Sequence, residues 1–169
     1  MKNNTWIAIL FAAALFACKK NNTKEFEITT GEIPVVVQSP IYEGNNVVLL
    51  EIPIDMEEIA TLEKINYKII YHSFLEQLTA TIPNEKHRKS IQQIDFSLYN
   101  HLRNPTKIAE ITTFEQQNLK ANVVKNNDAG DFFQDNSLFL LTDIHFKNAD
   151  SSNFEMQINL TFKVKSEKQ

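Results

Sequence analysis

Residues 154–164 read FEMQINLTFKV and carry the strongest period-two pattern of the chain. Apolar and polar side chains alternate along it without a break. The apolar positions are Phe154, Met156, Ile158, Leu160, Phe162 and Val164. Because successive side chains of a strand point to opposite faces of a sheet, the pattern predicts a strand with one buried face and one solvent-facing side.

A second strand is predicted just upstream, with apolar side chains on one face and Asp143 and His145 on the other. The apolar face would be formed by Leu138, Leu140, Thr142, Ile144 and Phe146. Between the two strands, residues 148–153 (NADSSN) are typical of a turn. Residues 138–164 are therefore predicted to form one long antiparallel hairpin.

Further strands are predicted upstream of this hairpin, bounded by polar turns. They are the runs 33–38, 47–54, 65–71, 91–99, 108–112 and 119–125. In run 65–71, the side chains of Ile65, Tyr67, Ile69 and Tyr71 are expected to share a face. Strands at this spacing favour a sandwich or a barrel, and we expect an all-β fold, an antiparallel β-sandwich of about seven or eight strands.

One or two short helices are expected between these strands. Asp55 has the character of an N-cap residue, with Glu58 three positions later, and Met56, Ile59, Leu62 and Ile65 follow at helical spacing. This predicts about two turns of helix. Residues 131–134 are expected to form a single further turn.

The N-terminus has the pattern of a secretion signal. Lys2 lies in a short polar stretch, and the eleven residues 6–16 (WIAILFAAALF) are all apolar. A membrane-spanning helix needs about 20 apolar residues, whereas a signal peptide needs about 7–15. No later segment approaches a spanning length.

The end of this apolar run resembles the lipobox of bacterial lipoproteins. It reads Leu15-Phe16-Ala17-Cys18 and is followed at once by polar residues. The resemblance implies that a diacylglycerol is attached to the Cys18 sulfur and that the chain is cleaved after Ala17. The alternative is an ordinary signal peptide in which the cysteine is incidental, but Cys18 is the only cysteine of the chain and stands where the motif requires one.

The lipobox predicts three regions: a signal peptide at 1–17, a lipidated tether at 18–27 and a single sandwich domain at 28–169. Two or more acyl chains hold a protein stably on a membrane. We expect the protein at the outer membrane, with the domain facing the periplasm. In Bacteroidota lipoproteins, acidic residues soon after the cysteine accompany export to the cell surface, and here none directly follows Cys18. Exposure on the cell surface stays an alternative. The composition, rich in Asn, Lys and Ile with only three glycines, is typical of AT-rich genomes such as those of many Bacteroidota.

Composition restricts the function classes. Without residues 1–17 the chain has 152 residues and a formal charge of −5, since Lys2 is the only charged residue removed. A nucleic-acid partner would require a basic face, so we expect none. Disulfides are excluded once Cys18 is acylated, and the domain must be stabilised by its core.

Residues with catalytic or ligand-binding chemistry are scattered in the sequence. Asp143 with His145 suggests either part of a metal or acid–base site or a solvated strand face, and we favour the latter. Residues 126–131 (NNDAGD) suggest a calcium loop or a tight turn; they lack the acidic spacing of an EF-hand, which favours the turn. Residues 86–89 (KHRK) are expected to form a solvated basic loop. We predict no catalytic residues, no metal site and no cofactor, and the sequence identifies no small-molecule substrate.

Phe132 and Phe133 are the aromatic pair most suited to a partner contact. They lie beside the polar turn and outside the alternating pattern, so one ring is expected to be exposed.

Two functions fit these features. The first is a non-enzymatic assembly or scaffold lipoprotein that docks through its sheet edges and loops to protein partners of the cell envelope. In size and layout the chain is similar to the sandwich lipoproteins of type VI secretion membrane complexes. The second is a lipoprotein that binds carbohydrate, lipid or metal. A hydrolase with a dispersed site is a third and weaker alternative.

The substitution Cys18→Ser is expected to release the protein from the membrane while leaving the domain folded, because it removes the only acylation site. Fractionation of cells into soluble and membrane pools, with circular dichroism of the released protein, measures both effects. Retention of the mutant in the membrane pellet would contradict lipid anchoring.

Overall fold

The computed structural model describes residues 22–134 and 138–169. These described residues form ten strands, which we number in chain order. They are β1 (Thr23–Thr29), β2 (Ile33–Val37), β3 (Gly44–Glu51), β4 (Ile65–Thr81), β5 (Ile91–Asn100), β6 (Arg103–Ile111), β7 (Asn118–Lys120), β8 (Asn122–Val123), β9 (Phe139–Phe146) and β10 (Phe154–Lys168). The same residues also form two helices, α1 (Met56–Glu63) and α2 (Glu85–Ser90), and a 3₁₀ turn (Gly130–Phe132).

The strands form two antiparallel sheets that face each other. In sheet I the order is β1-β10-β4-β7. β2 pairs with β10 on the same side as β1: β2 lies along residues 154–158 of β10, and β1 lies along residues 161–167. In sheet II the order is β3-β9-β5-β6-β8. This is the strand order of a jelly roll whose first strand is broken into β1 and β2. The predicted all-β sandwich is confirmed, with more strands than expected.

The core lies between the two sheets. All six alternating apolar side chains of β10 are buried, and so is the predicted inner face of β9. Phe146 and Phe154 meet edge to face with ring centroids 5.4 Å apart, joining the two sheets at one end of the core. No helix among the described residues is long and apolar enough to span a membrane.

The predicted hairpin between β9 and β10 is wrong, although both strands are present. β9 pairs with β3 and β5 in sheet II, whereas β10 pairs with β1, β2 and β4 in sheet I. Residues 147–153 cross between the sheets, and in that crossing the backbone of Asp150 pairs with Ile41. Alternation shows which side chains are buried, but it does not show which strand pairs with which.

The faces predicted for residues 65–71 are also wrong, because a bulge interrupts β4. Glu167 of β10 lies opposite Asn66, and the next residue, Ser166, lies opposite Ile70. Three residues of β4 are thus inserted, and an odd insertion exchanges the two faces of a strand. Ile70 is buried in consequence, and Ile69 and Tyr71 are exposed. The buried Ser166 hydroxyl donates to the carbonyl oxygens of Asn66 and Ile69 and so stabilises the bulge.

Helix α1 begins as the sequence predicts. One carboxylate oxygen of Asp55 accepts hydrogen bonds from the backbone N–H groups of Glu57 and Glu58, at 2.9 and 3.0 Å. The helix ends at Lys64, whose φ of 52° is left-handed. Its buried side chains are Met56 and Ala60, whereas Leu62 is exposed to solvent.

The basic segment 86–89 belongs to a helix and not to a loop. Asn84 caps α2 through its side-chain oxygen, which accepts from the N–H of Lys86 at 2.9 Å. His87 is buried, and its Nε2 lies 3.0 Å from the Ser152 hydroxyl. A six-residue helix gives too short a periodic signal to be recognised in the sequence.

The tether expected at residues 18–27 overlaps the first strand. β1 starts at Thr23 and pairs with β10 from Glu167 to Thr161. Lys24 further contacts the end of α1, because its Nζ lies 2.6 Å from a carboxylate oxygen of Glu63. Residues 23–27 are therefore part of the folded sandwich.

The sandwich has two distinct ends. The α1 end holds the start of β1, helix α1, the β5–β6 turn and the end of β10. The α2 end holds helix α2 and the crossings 38–43 and 147–153 between the sheets. β10 has 15 residues, so the two ends are roughly 50 Å apart at about 3.3 Å per residue.

The prediction that Phe132 or Phe133 contacts a partner is contradicted by their burial. The exposed fractions are 4% and 1%. The Phe133 ring packs edge to face on Phe162, with centroids 5.0 Å apart. The 3₁₀ turn and the residue that follows it direct both rings into the core. The two residues depart from the alternating pattern because they lie at this turn and not in a strand.

Phe133→Ala is expected to lower the free energy of unfolding by about 3–5 kcal/mol, because it removes a buried ring and leaves a cavity beside Phe162. Phe74→Ala is the matched control: Phe74 is substantially exposed, and its loss is expected to cost about 1 kcal/mol or less. Urea unfolding of the two variants measures the difference. Equal effects would show that Phe133 is not a core residue.

Candidate functional site

The residues expected to carry the lipid lie outside the described part of the chain. Leu15, Phe16, Ala17 and Cys18 all precede Asn22, where the description begins. The structure does fix where the chain leaves the domain. The N–H of Lys168, the last residue of β10, donates to the Asn22 carbonyl at 2.8 Å. Asn22 is therefore held at the α1 end.

Asp143 and His145 lie on the same outer face of sheet II, as predicted. Asn45 of β3 lies between them: its Nδ2 donates to Asp143 Oδ2 at 2.9 Å, and its Oδ1 lies 2.6 Å from His145 Nδ1. On the neighbouring strand, Asp95 lies opposite Asp143. Burial, and then the negative charge of Asp95, raise the pKa of Asp143 above its ordinary value.

A lysine balances the acids on this face. Lys107 of β6 contacts Asp95 Oδ1 at 2.8 Å and Glu110 Oε2 at 2.6 Å. Hydrogen bonds to these two carboxylates raise the pKa of Lys107. Among the described residues, no group of three or more His, Cys, Asp and Glu side chains is placed to hold a metal ion. Asn45 thus links β3 to β9, and Lys107 links β6 to β5, whereas Asp95 and Asp143 repel each other between β5 and β9.

Residues 126–131 form a turn that fastens the edge of β4. Asp128 Oδ1 accepts from the N–H of Ser73 at 2.9 Å and from that of Gly130 at 2.8 Å, and its Oδ2 lies 2.7 Å from His72 Nδ1. Burial acts to raise the pKa of Asp128, but these hydrogen bonds outweigh it and hold the pKa below its ordinary value. The backbone of Asn126 is left-handed, with a φ of 72°. The Asp128 oxygens thus already have nitrogen donors, as the turn interpretation requires.

The surface depressions are shallow. One lies at the α1 end and is lined by Glu51, Asp55 and Glu57 among others. Asp55 is used there as the helix cap, and Glu57 Oε1 accepts from the Tyr67 hydroxyl at 3.2 Å. Another, beside α2, is lined by Arg88, Lys89 and Phe114 with other residues. Neither brings together the clustered aromatics that a carbohydrate site requires.

The feature most open to a partner is the free edge of β3. This eight-residue strand pairs with β9 on one side and, within residues 22–134 and 138–169, with no strand on the other. Its backbone N–H and C=O groups on that side face away from the sheet. Val47 and Leu49 project from its outer face with exposed fractions of 59% and 50%. Sequence reasoning missed this site because an edge strand is defined by topology, and the alternation of β3 resembles that of any half-buried strand.

No protein-family model matches this chain, and no curated protein matches it. Virus capsids are among the solved structures that resemble it. The empty capsid of Triatoma virus aligns at 8% identity over 82% of this chain and 87% of that one, with a TM-score of 0.41. The capsid of the Helicobacter pylori bacteriophage KHP30 aligns at 8% identity over 85% and 99%, with a TM-score of 0.35. Turnip yellow mosaic virus aligns at 14% identity over 85% and 95%, with a TM-score of 0.31. Similarity at this level assigns neither a family nor a function.

Asp128→Ala is expected to lower the free energy of unfolding by about 1–3 kcal/mol, because it leaves the N–H of buried Ser73 without its acceptor. Asp131→Ala is the control from the same segment. It removes only the exposed ion pair with Arg103, which is expected to contribute about 1 kcal/mol or less.

Thermal unfolding with and without calcium completes this test. We expect the melting temperature of the unmodified protein to be the same in both conditions. A rise with calcium that Asp128→Ala abolishes would restore the calcium-loop interpretation.

Proposed function

We propose that this protein is a lipid-anchored, non-enzymatic assembly component of a multiprotein envelope complex. Cys18 carries the lipid, and the domain faces the periplasm from the outer membrane. The machine we favour is a type VI secretion membrane complex, on the similarity of size and layout described above. The free edge of β3 is the single observation that supports a docking role.

Several other edge strands carry features that discourage pairing with another chain. β1 has charged side chains, and Glu25 lies 3.6 Å from Lys165 of β10. β2 contains Pro34, and β6 contains Arg103, Pro105 and Lys107. β7 and β8 have only three and two residues. Charges, prolines and short length are the usual protection of edge strands.

β3 lacks this protection. It has no proline and no lysine, and its only charged residue is Glu51 at its end. Its eight residues extend over roughly 26 Å at about 3.3 Å per residue. Val47 and Leu49 add an exposed apolar contact next to the free backbone groups. An edge of this kind favours pairing with an extended protein segment.

The occupant that we propose is an extended segment of an envelope protein partner. It would place apolar side chains two residues apart, opposite Val47 and Leu49, because these two lie on the same face of β3. A basic side chain opposite Glu51 would complement the only charge of the strand. Main-chain hydrogen bonds would supply affinity, and these side chains would supply selectivity.

Leu49→Lys is expected to abolish partner binding while leaving the domain folded, because a lysine on an exposed edge strand opposes pairing and Leu49 is not a core residue. The protein is purified in detergent from the envelope, and stoichiometric partners are identified by mass spectrometry after gel filtration. Val36→Lys, a similar change on the proline-containing strand β2, is expected to keep the partner.

Three results would contradict the proposal. They are elution of the unmodified protein alone, retention of the partner by Leu49→Lys, and mass spectrometry showing an unmodified thiol at Cys18. A rise in melting temperature on a panel of glycans or metal ions, without any protein partner, would instead favour the ligand-binding alternative.

A further inference from the structure

We infer that the α1 end of the sandwich rests on the lipid surface, with Leu62 and Leu102 in contact with the bilayer. This inference rests on the proposed lipidation of Cys18. It adds the face of the domain that meets the membrane, and therefore the direction in which the β3 edge points.

Chain length limits the distance between the domain and the lipid. Three residues separate Cys18 from Asn22, so the chain between them makes four Cα–Cα steps of at most about 3.6 Å each, or roughly 14 Å in total. Asn22 is fixed to the end of β10 by the hydrogen bond from Lys168, and Thr23 is already paired with Glu167. The start of β1 is therefore held close to the headgroups, whereas the α2 end lies roughly 50 Å further along the sandwich.

The most exposed large apolar side chains lie at the same end. Leu102 has an exposed fraction of 81% and Leu62 one of 69%, the two highest values among the large apolar residues described. They lie in two different connections between strands. Leu62 is in the last turn of α1, between β3 and β4, and Leu102 is in the turn between β5 and β6. Isolated exposed leucines are common on protein surfaces. Here two of them project at the end that the lipid would hold against a membrane.

Neighbouring charges are largely matched in pairs. Lys24 contacts Glu63 at 2.6 Å, and Arg103 contacts Asp131 at 2.7 Å. Helix α1 also has Glu57 and Glu58 in its first turn, away from Leu62 in its last. The contact is therefore expected to depend on apolar insertion and not on attraction to anionic lipids.

This orientation places β3 roughly along the membrane normal. β3 runs from the α2 end to the α1 end, because its Gly44 lies opposite Phe146 of β9 and its Glu51 lies opposite Phe139. The free edge would then be accessible along its full length, and neither of its faces would lie against the lipid.

The experiment uses single tryptophans as reporters of lipid contact. Trp6 is the only tryptophan of the chain and lies in the predicted signal, so the mature protein has none. Leu62→Trp and Leu102→Trp report on the α1 end. Leu49→Trp on β3 and Val36→Trp on β2 are the controls. They would be quenched if a sheet face or edge of the sandwich, and not its α1 end, contacted the lipid. Each full chain is produced with its signal, purified from the membrane and reconstituted in phosphatidylcholine vesicles, with or without bromine-labelled acyl chains.

We expect tryptophans at 62 and 102 to emit at shorter wavelength and to be quenched by brominated lipid, and those at 49 and 36 to be unaffected. Absence of quenching at 62 and 102, or equal quenching at all four positions, would overturn the inference. Quenching at 49 or 36 alone would overturn it as well, since it would place a side of the sandwich on the lipid.

A second arm separates this inference from the proposed function. A chain that begins at Cys18 contains every described residue, and its only thiol can be coupled to a maleimide-bearing phospholipid in the same vesicles. If the cell leaves Cys18 unmodified, the proposed function fails, and the coupled protein still measures which end faces the lipid. If Cys18 is lipidated and the reporters at 62 and 102 stay in water in both arms, only the orientation fails.

Discussion

Apolar packing between the two sheets holds the domain together. The alternating apolar side chains of β10 pack against the inner face of sheet II, and the rings of Phe133, Phe146, Phe154 and Phe162 are all buried there. The chain has no pair of cysteines, so no disulfide supplements this contact. Burial of apolar surface must therefore provide most of the stability. The outer faces and edges are correspondingly free to carry function.

The sequence predicted which side chains are buried better than it predicted which strands are neighbours. Alternation along β10 identified its inner face correctly, and Asp55 identified the start of α1, because both signals are local. Pairing depends on the path of the chain between strands, and residues 147–153 read as a hairpin turn although they cross from one sheet to the other. The bulge in β4 was hidden for a related reason: only the register against Ser166 and Glu167 reveals the inserted residues. A local pattern carries no information about a distant partner.

The same limit explains what was missed at the surface. Phe132 and Phe133 were expected to be exposed because they depart from the alternating pattern, but a 3₁₀ turn buries side chains that alternation does not describe. The free edge of β3 was invisible, since an edge follows from strand order alone. Conversely, the turn at Asp128 was predicted correctly, because Asn, Asp and Gly favour turns through their own backbone and side-chain geometry. The shared outer face of Asp143 and His145 was also predicted correctly, because alternate residues of a strand point to the same side. Residue type predicted the chemistry of these sites, and topology determined which surface was left open.

The two proposed contacts have a physical reason to occur together. An edge strand of eight residues with two exposed apolar side chains offers a small interface, and small interfaces between freely diffusing proteins are usually weak. A lipid on Cys18 would confine the domain to a surface, and partners held on the same or a facing membrane would meet it at a raised effective concentration. If the α1 end rests on the bilayer, rotation of the domain is restricted as well, and less orientational entropy is lost when β3 pairs. The interface at the short edge is too small to give high affinity by itself. Anchoring would then raise the affinity, because it confines and orients the domain.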